Sequence, residues 1–311
     1  MTFTLVEDQE RFAALIARAA QAGRVALDTE AASFHRYHDR VYLLQVTAAG
    51  ETSVIDPLTL GSLEPLGALL IDPAVEKVFH DADYDLRLIH HQYGFSARNL
   101  FDTRIAAQLL GEPSIGLGVL LERYFGISPD KRFQRADWSA RPLTPAMLDY
   151  AAGDTSHLNE LRDILRGQLI ENGRLAWADE EFALAVEPRW ERSDEGPRES
   201  FIRLKGARDL DRRGLALLRE LYEWRETTAS ALDRASFRVM GNEVLLHLAA
   251  HPVTTIDELA KVRGVGRDVA ERRGREVLAA IERGLAVPDD ALPRFERSPR
   301  RPPVDPAWEA R

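Results

Sequence analysis

The chain has 311 residues, is 45% apolar, carries a formal net charge of −9 and contains no cysteine, so it is long enough for two domains or one large one and excludes disulfides, zinc–thiolate sites and cysteine nucleophiles. No run of about 18 apolar residues occurs and the start, MTFTLVEDQERF, lacks a basic segment followed by an apolar core, so neither a membrane partner nor a secretory signal is expected, and a reducing cytoplasm suits the composition. The negative charge argues against binding nucleic acid by general electrostatics alone, although a metal site would itself concentrate carboxylates that its cations neutralise.

A helix over 9–22 opens the chain. Three strands follow, 24–32 (RVALDTEAA), 40–49 (RVYLLQVTAA) and 52–57 (TSVIDP), joined by short links that predict an antiparallel meander. Helix 63–71, strand 76–82, helix 84–93, a short strand at 99–102 and helices from Thr103 onward then predict an α/β domain with a mixed sheet. Thr144, an apt N-cap before Pro145, starts a helix read as running to 165. Met147, Ala151, Leu158, Leu161 and Leu165 recur on it at helical spacing. Helical pattern continues to about 185. The domain is placed at 1–186, a charged Pro/Gly-rich linker at 187–206, and a small all-α module of four or five helices at 207–287. That module has breaks at 240–241, 251–252 and 264–266, and a disordered tail at 288–311 follows it.

Asp28 and Glu30 lie two apart in a strand, hence on one face, with apolar neighbours on both sides. A mostly buried strand that tolerates adjacent carboxylates usually holds a cation; an edge strand with a solvated face is the plainer alternative. In HDADYDLRLI (80–89), Asp81 and Asp83 are read as helix caps, whereas Asp85 falls in the first helical turn. Tyr150 and Asp154 lie one turn apart and point the same way. Asp28, Glu30, Asp85 and Asp154 are four carboxylates from three elements. Such a set suits two divalent cations about 3.5–4 Å apart that clamp a phosphodiester for in-line attack, with Tyr150 holding or helping to deprotonate the water.

The segments LDTEA (27–31), HDADYDL (80–86) and YAAGD (150–154) resemble the three exonuclease motifs of the DEDD superfamily. The tyrosine four residues before the last aspartate marks its tyrosine branch. FDTRIAAQLLG (101–111) and DKRFQRADWSARPLTPAMLDYAAGDTSHL (130–158) make the chain similar to the ribonuclease D family over about residues 1–185, and 210–285 resembles the helicase-and-ribonuclease-D C-terminal domain. The resemblance implies an RNase H-like fold and 3′→5′ exonucleolysis of RNA with Mg²⁺ or Mn²⁺. Asp28, Glu30, Asp85 and Asp154 would be the metal ligands and Tyr150 the water-orienting residue. It also implies a monomer acting on the 3′ ends of tRNA precursors and other small structured RNAs. Some members carry two helical modules. This chain has room for one, so a ring built by two is not expected and substrate choice would be looser.

Lys131, Arg132, Arg135 and Arg141 flank Trp138 and read either as a solvated loop or as phosphate contacts guiding an RNA 3′ end. Phe133 and Trp138 could stack on bases or pack against the domain. In the module, fourteen basic residues face thirteen acidic ones over 208–283, which makes no basic patch. Arg267, opening a helix after Gly264–Gly266, is its candidate RNA contact. His80, His90 and His91 are set aside as bystanders because the carboxylates suffice. An exonuclease acting on DNA has the same motifs, since discrimination comes from 2′-OH contacts. A non-catalytic RNA-binding adaptor would need a lost ligand, and none is lost.

Overall fold

The computed structural model describes residues 2–130, 132–187 and 200–295. It divides the chain into two units, Met1–Arg192 and Ser193–Arg311. The division falls within the expected linker, of which 188–199 lie outside the described residues, as do 296–311 of the expected tail.

The first unit is built on six strands in the order β1-β4-β3-β2-β5-β6. β2 (Arg24–Glu30), β3 (Leu43–Ala48) and β4 (Glu51–Ile55) form the expected antiparallel meander. Its tight turn uses Ala49 and Gly50 at positive φ, the left-handed pair whose twist matches a hairpin. β5 (Glu76–Phe79) and β6 (Leu100–Asp102) add in parallel beyond β2. β1 (Thr4–Val6), which the sequence reading missed, adds in parallel beyond β4. Three residues are too few to show a strand period.

The β2 alternation divides the core. Val25 and Leu27 pack with Phe12, Leu15 and Ile16 of α1 (Gln9–Gln21), with α2 (Glu64–Ile71) and with α3 (Ala82–Tyr93). Ala26 faces the other way, toward α4 (Thr103–Leu110) and the leucines of α7 (Leu158–Glu171) and the aromatic Phe182 of α8 (Leu175–Ala185). α5 (Leu117–Phe125) joins that layer through Leu120.

The helix expected at 144–165 is two helices. α6 (Pro145–Ser156) is capped by the Thr144 hydroxyl, as expected, but stops at His157, where φ −115° and ψ 5° leave the helical range before α7 begins. The break lets Ala151 and Ala152 cover β3 and β4 while Leu158, Leu161 and Leu165 turn toward α4. One straight stripe could not serve both.

In the second unit, α9 (Arg212–Leu232), α10 (Ser236–Val239), α11 (Asn242–Ala250), α12 (Ile256–Lys261) and α13 (Arg267–Ala286) break where the sequence predicted, with one further break after α9 at Asp233, whose φ is 44°. Two expectations about its margins are corrected. Phe201, placed in the linker, is buried against this unit. Residues 288–295, placed in a disordered tail, include a short 3-10 turn at Asp289–Ala291. Arg213 donates to Asp289 at 2.6 Å and Arg212 to the Leu292 carbonyl at 2.9 Å. Two arginine forks outweigh the loss of chain freedom that composition alone suggested. Among the described residues, no helix is long and apolar enough to cross a membrane.

Candidate active site

β5 pairs with β2 only as far as Ala26↔Val78, after which β5 ends and α3 begins. The β2 edge beyond that point has free backbone amides. Asp85 uses one: its Oδ1 accepts the Thr29 N–H at 3.1 Å and also the Thr29 hydroxyl. The fourth residue of α3 is thereby pinned to the middle residue of the Asp-Thr-Glu segment. Sequence reasoning had no signal for Thr29, because the free amide depends on where a different strand stops.

On the opposite face of β2, Asp28 and Glu30 project toward α6, which presents Asp154. Carboxylate oxygens of Asp28, Glu30 and Asp154 lie within 4.8 Å of one another. Asp85 stands outside this trio, yet close enough that its charge raises the proton affinity of Asp28, Glu30 and Asp154. No Lys, Arg or His among the described residues forms an ion pair with any of the four. Burial, reinforced by mutual repulsion, therefore holds Asp28 and Glu30 well above the usual carboxylate range. Burial pushes Asp85 and Asp154 up to about 7.

Two further features fit a cation here. Gln45 is the cross-strand partner of Asp28, hence on the same sheet face. It is fully buried, and neither its amide nitrogen nor its amide oxygen has a partner; such orphans are rare and call for a group the protein does not supply. The donor set is all oxygen, the choice of hard divalent cations. The residues present therefore suit Mg²⁺ or Mn²⁺.

Tyr150 borders the trio. Its ring packs 5.8 Å from Phe133 and 6.1 Å from Trp138 between centroids, and its hydroxyl has no hydrogen-bond partner among the described residues. Burial, then the charges of Asp154, Glu30 and Asp28, push the phenol further above its already high range. It is a donor, not a base. Two cavities meet along the Tyr150–Asp154 edge. One, of about 370 Å³, is lined by Asp28, Glu30, His80, Gln134 and Val119 among others. The other, of about 400 Å³, has Leu121, Ile127, Phe133, Arg132 and His157 in its walls. Both fall in the size range of small-ligand sites.

The remaining expectations fare unevenly. Asp81 heads α3 but its side chain caps nothing; it pairs with Arg104 at 3.0 Å, and the Asp81 and Ala82 amides donate instead to Asp102. Asp102 also accepts from Arg104 and Ile105, capping two helices with one carboxylate. Asp83 pairs with Arg87. Trp138 is only 1% exposed, so it cannot stack on a base; it forms the wall under Tyr150. Arg141 is not available to phosphate. It grips buried Asp56 at 2.6 Å and donates to the carbonyls of Tyr42, Trp138 and Ala140. Arg132, in the wall of the second cavity, and Arg135 are both exposed, Arg132 paired with Asp130 and Arg135 stacked over Phe34 at 5.0 Å. Lys131 lies outside the described residues. Arg267 is exposed in the second unit and paired with Glu271. His90 meets the Phe95 carbonyl, away from the trio.

Comparisons with known proteins agree with this layout. A family model described as 3'-5' exonuclease matches residues 3–170, and one described as HRDC domain matches 214–281. Ribonuclease D of Granulibacter bethesdensis is 38% identical, the alignment covering 95% of this chain and 75% of that protein. Ribonuclease D of Gluconacetobacter diazotrophicus is 35% identical, covering 98% and 78%. Among solved structures, Escherichia coli RNase D, described as an exoribonuclease involved in structured RNA processing, aligns with a TM-score of 0.76 at 30% identity, covering 94% of this chain and 78% of that one.

Proposed function

The chain belongs to the ribonuclease D family and is a 3′→5′ exoribonuclease; from that premise we propose that Asp28, Glu30, Asp85 and Asp154 hold two divalent cations, Mg²⁺ or Mn²⁺, and that Tyr150 orients the attacking water. The observation that carries this reading is the trio of half-buried carboxylates within 4.8 Å of one another with no basic partner among the described residues. Bound there, divalent cations supply the charge that activates a water and stabilises the leaving oxygen.

The chain's own residues set the geometry. Thr29 fixes Asp85. The β2 pleat aims Asp28 and Glu30 together. The Tyr150 hydroxyl, protonated at working pH, donates a hydrogen bond that holds the water or a phosphate oxygen in line. Water adds to the phosphorus of the last phosphodiester, the bond to the penultimate 3′ oxygen breaks, and a 5′-mononucleotide leaves a new 3′ hydroxyl behind. The substrates proposed are 3′ trailers of tRNA precursors and other small structured RNAs; the Escherichia coli enzyme is described as acting in structured RNA processing. Arg132 in a cavity wall, Arg135 three residues on in the same loop and Arg267 in the helical unit are the proposed phosphate contacts. A monomer is the proposed working form, and the absence of cysteine suits the proposed cytoplasmic setting.

The test is digestion of 3′-extended tRNA, single-stranded RNA and single-stranded DNA with Mg²⁺, Mn²⁺ or EDTA, alongside Asp28→Ala. Mononucleotide release from RNA 3′ ends, lost with EDTA and in the variant, is expected. Activity persisting in both would overturn the cation site, and faster digestion of DNA would overturn the substrate class.

A further inference from the structure

We infer that His80 is a specificity residue: its Nε2 accepts a hydrogen bond from the 2′ hydroxyl of the last nucleotide and so favours RNA ends over DNA ends. The inference rests on the exoribonuclease reading above and adds a group to it.

His80 follows the last residue of β5, and its ring borders the same cavity as Asp28, Glu30, Tyr150 and Asp154. Its Nδ1 lies 2.9 Å from the Thr103 hydroxyl. That hydroxyl has one proton, which we assign to the Phe79 carbonyl at 3.1 Å because a carbonyl can only accept, whereas Nδ1 can carry a proton of its own and so satisfy both bonds at once. Toward His80 it can then only accept, so Nδ1 carries the ring proton. In the neutral ring the other nitrogen, Nε2, is left as a bare acceptor. Thr103 is fully buried, so water cannot take over either bond and reverse the tautomer. Burial, with the Arg104 cation beside it, lowers the His80 pKa to about 4, which keeps the ring neutral through the ordinary working range.

Nε2 makes no hydrogen bond among the described residues, and it is not among the unpaired atoms sealed from solvent. It is thus an unused acceptor opening on the cavity. The other polar groups there differ in kind. Asp28, Glu30 and Asp154 are carboxylates proposed to hold cations, Asp130 is paired with Arg132, and the Tyr150 hydroxyl and Gln134 amide can each donate. A group that can only accept, neutral and fixed by a buried partner, matches a hydroxyl donor and repels none of the substrate's own charge. The terminal ribose of RNA brings two hydroxyls and that of DNA only one. The 2′ hydroxyl is the donor that separates them. One neutral hydrogen bond half-open to solvent corresponds to a discrimination of about tenfold.

The test uses the full chain and three single-stranded RNAs identical except for a last nucleotide that is ribo, 2′-deoxy or 3′-deoxy. First-nucleotide release is measured as kcat/KM. The wild-type protein is expected to favour the ribo end over the 2′-deoxy end by about tenfold. His80→Leu is expected to lose that factor on the ribo end and less than twofold on the 2′-deoxy end. Thr103→Val, which frees Nδ1 from its acceptor, is expected to weaken the preference in the same direction. ¹⁵N spectra of the histidine-labelled wild-type protein should show the Nδ1–H tautomer. Equal rates on ribo and 2′-deoxy ends in the wild type would overturn the inference. So would an unchanged preference in His80→Leu, an equal loss on both ends, a response that tracks the 3′-deoxy end instead, or an Nε2–H signal. Failure of the wild type on every RNA would strike the exoribonuclease reading rather than His80.

Discussion

The two units of this chain bury charge in opposite ways. In the helical unit, Arg225 is only 4% exposed, and its guanidinium is fully answered: it reaches Glu226 at 2.8 Å, Asn242 at 2.6 Å and the Met240 carbonyl. In the nuclease unit, the half-buried Asp28, Glu30 and Asp154 sit together with buried Asp85 nearby, and none of the four has a cationic partner among the described residues. The same unit does satisfy its other buried charges. Lys77 donates to the Asp72 and Val75 carbonyls, and Asp56 is held by Arg141. A charge taken out of water costs several kcal/mol unless it is paired, and Asp28, Glu30, Asp85 and Asp154 are accordingly where we propose that an outside cation enters. The buried charges of Arg225, Lys77 and Asp56 maintain structure, whereas the four carboxylates are the ones proposed to serve chemistry.

The contrast can be broken most forcefully at Asp28. Asp28→Ala is expected to lower RNA turnover by roughly 10³-fold, measured as mononucleotide release, with the far-ultraviolet spectrum unchanged. Arg225→Ala is expected to act on stability instead. It leaves Glu226 and Asn242 facing a void and costs about 3–5 kcal/mol, which a melting curve of the helical unit would register. If Arg225→Ala were silent and Asp28→Ala unfolded the chain, the comparison would be reversed.

Tyr150→Phe removes one hydroxyl and leaves the carboxylates in place. A fall in kcat of roughly 10²-fold with unchanged Mn²⁺ affinity is expected, and a shift in cation affinity as large as the shift in kcat would contradict a role in orienting water.

A smaller effect separates the units by pH. The folded pKa of Asp154 is about 7 against an ordinary 3.8. In that window the folded chain binds more protons than the unfolded one, so stability falls as pH rises. With EDTA present, the nuclease unit is expected to lose stability as pH rises from about 4 to about 7 and to change little above that, while Asp154→Asn reduces the slope and raises the melting temperature by about 2–4 °C at the upper end. The helical unit, whose buried Arg225 is paired, should show no such slope. The smallest effect is at Arg267, 89% exposed in its side chain and paired only with Glu271. Arg267→Ala should leave stability within about 0.5 kcal/mol. As a phosphate contact, it would reduce the salt dependence of RNA binding by about one charge.

The sequence carried the proposed ligands better than their supports. Asp28 and Glu30 announce themselves through strand alternation, and Tyr150 and Asp154 through helical spacing, because both periods are local. Their partners are not local. Thr29 can hold Asp85 only because β5 stops short of it. Asp102 caps α3 from 21 residues away, where Asp81 had looked sufficient. The His80 tautomer depends on Thr103, 23 residues on. Trp138 and Arg141 illustrate the converse error: an aromatic and a cation in a loop suggested RNA, whereas burial of the indole and the carboxylate of Asp56 keep both for the fold. The break at His157 was hidden for a similar reason, since two short stripes facing different layers add up to one plausible long one.

Direct titration of the metal-free chain with Mn²⁺, followed by calorimetry, tests the central claim most closely. The account predicts saturable binding of two ions per chain, accompanied by proton release near neutral pH and abolished by Asp28→Ala. No binding, or binding that survives Asp28→Ala unchanged, would contradict it.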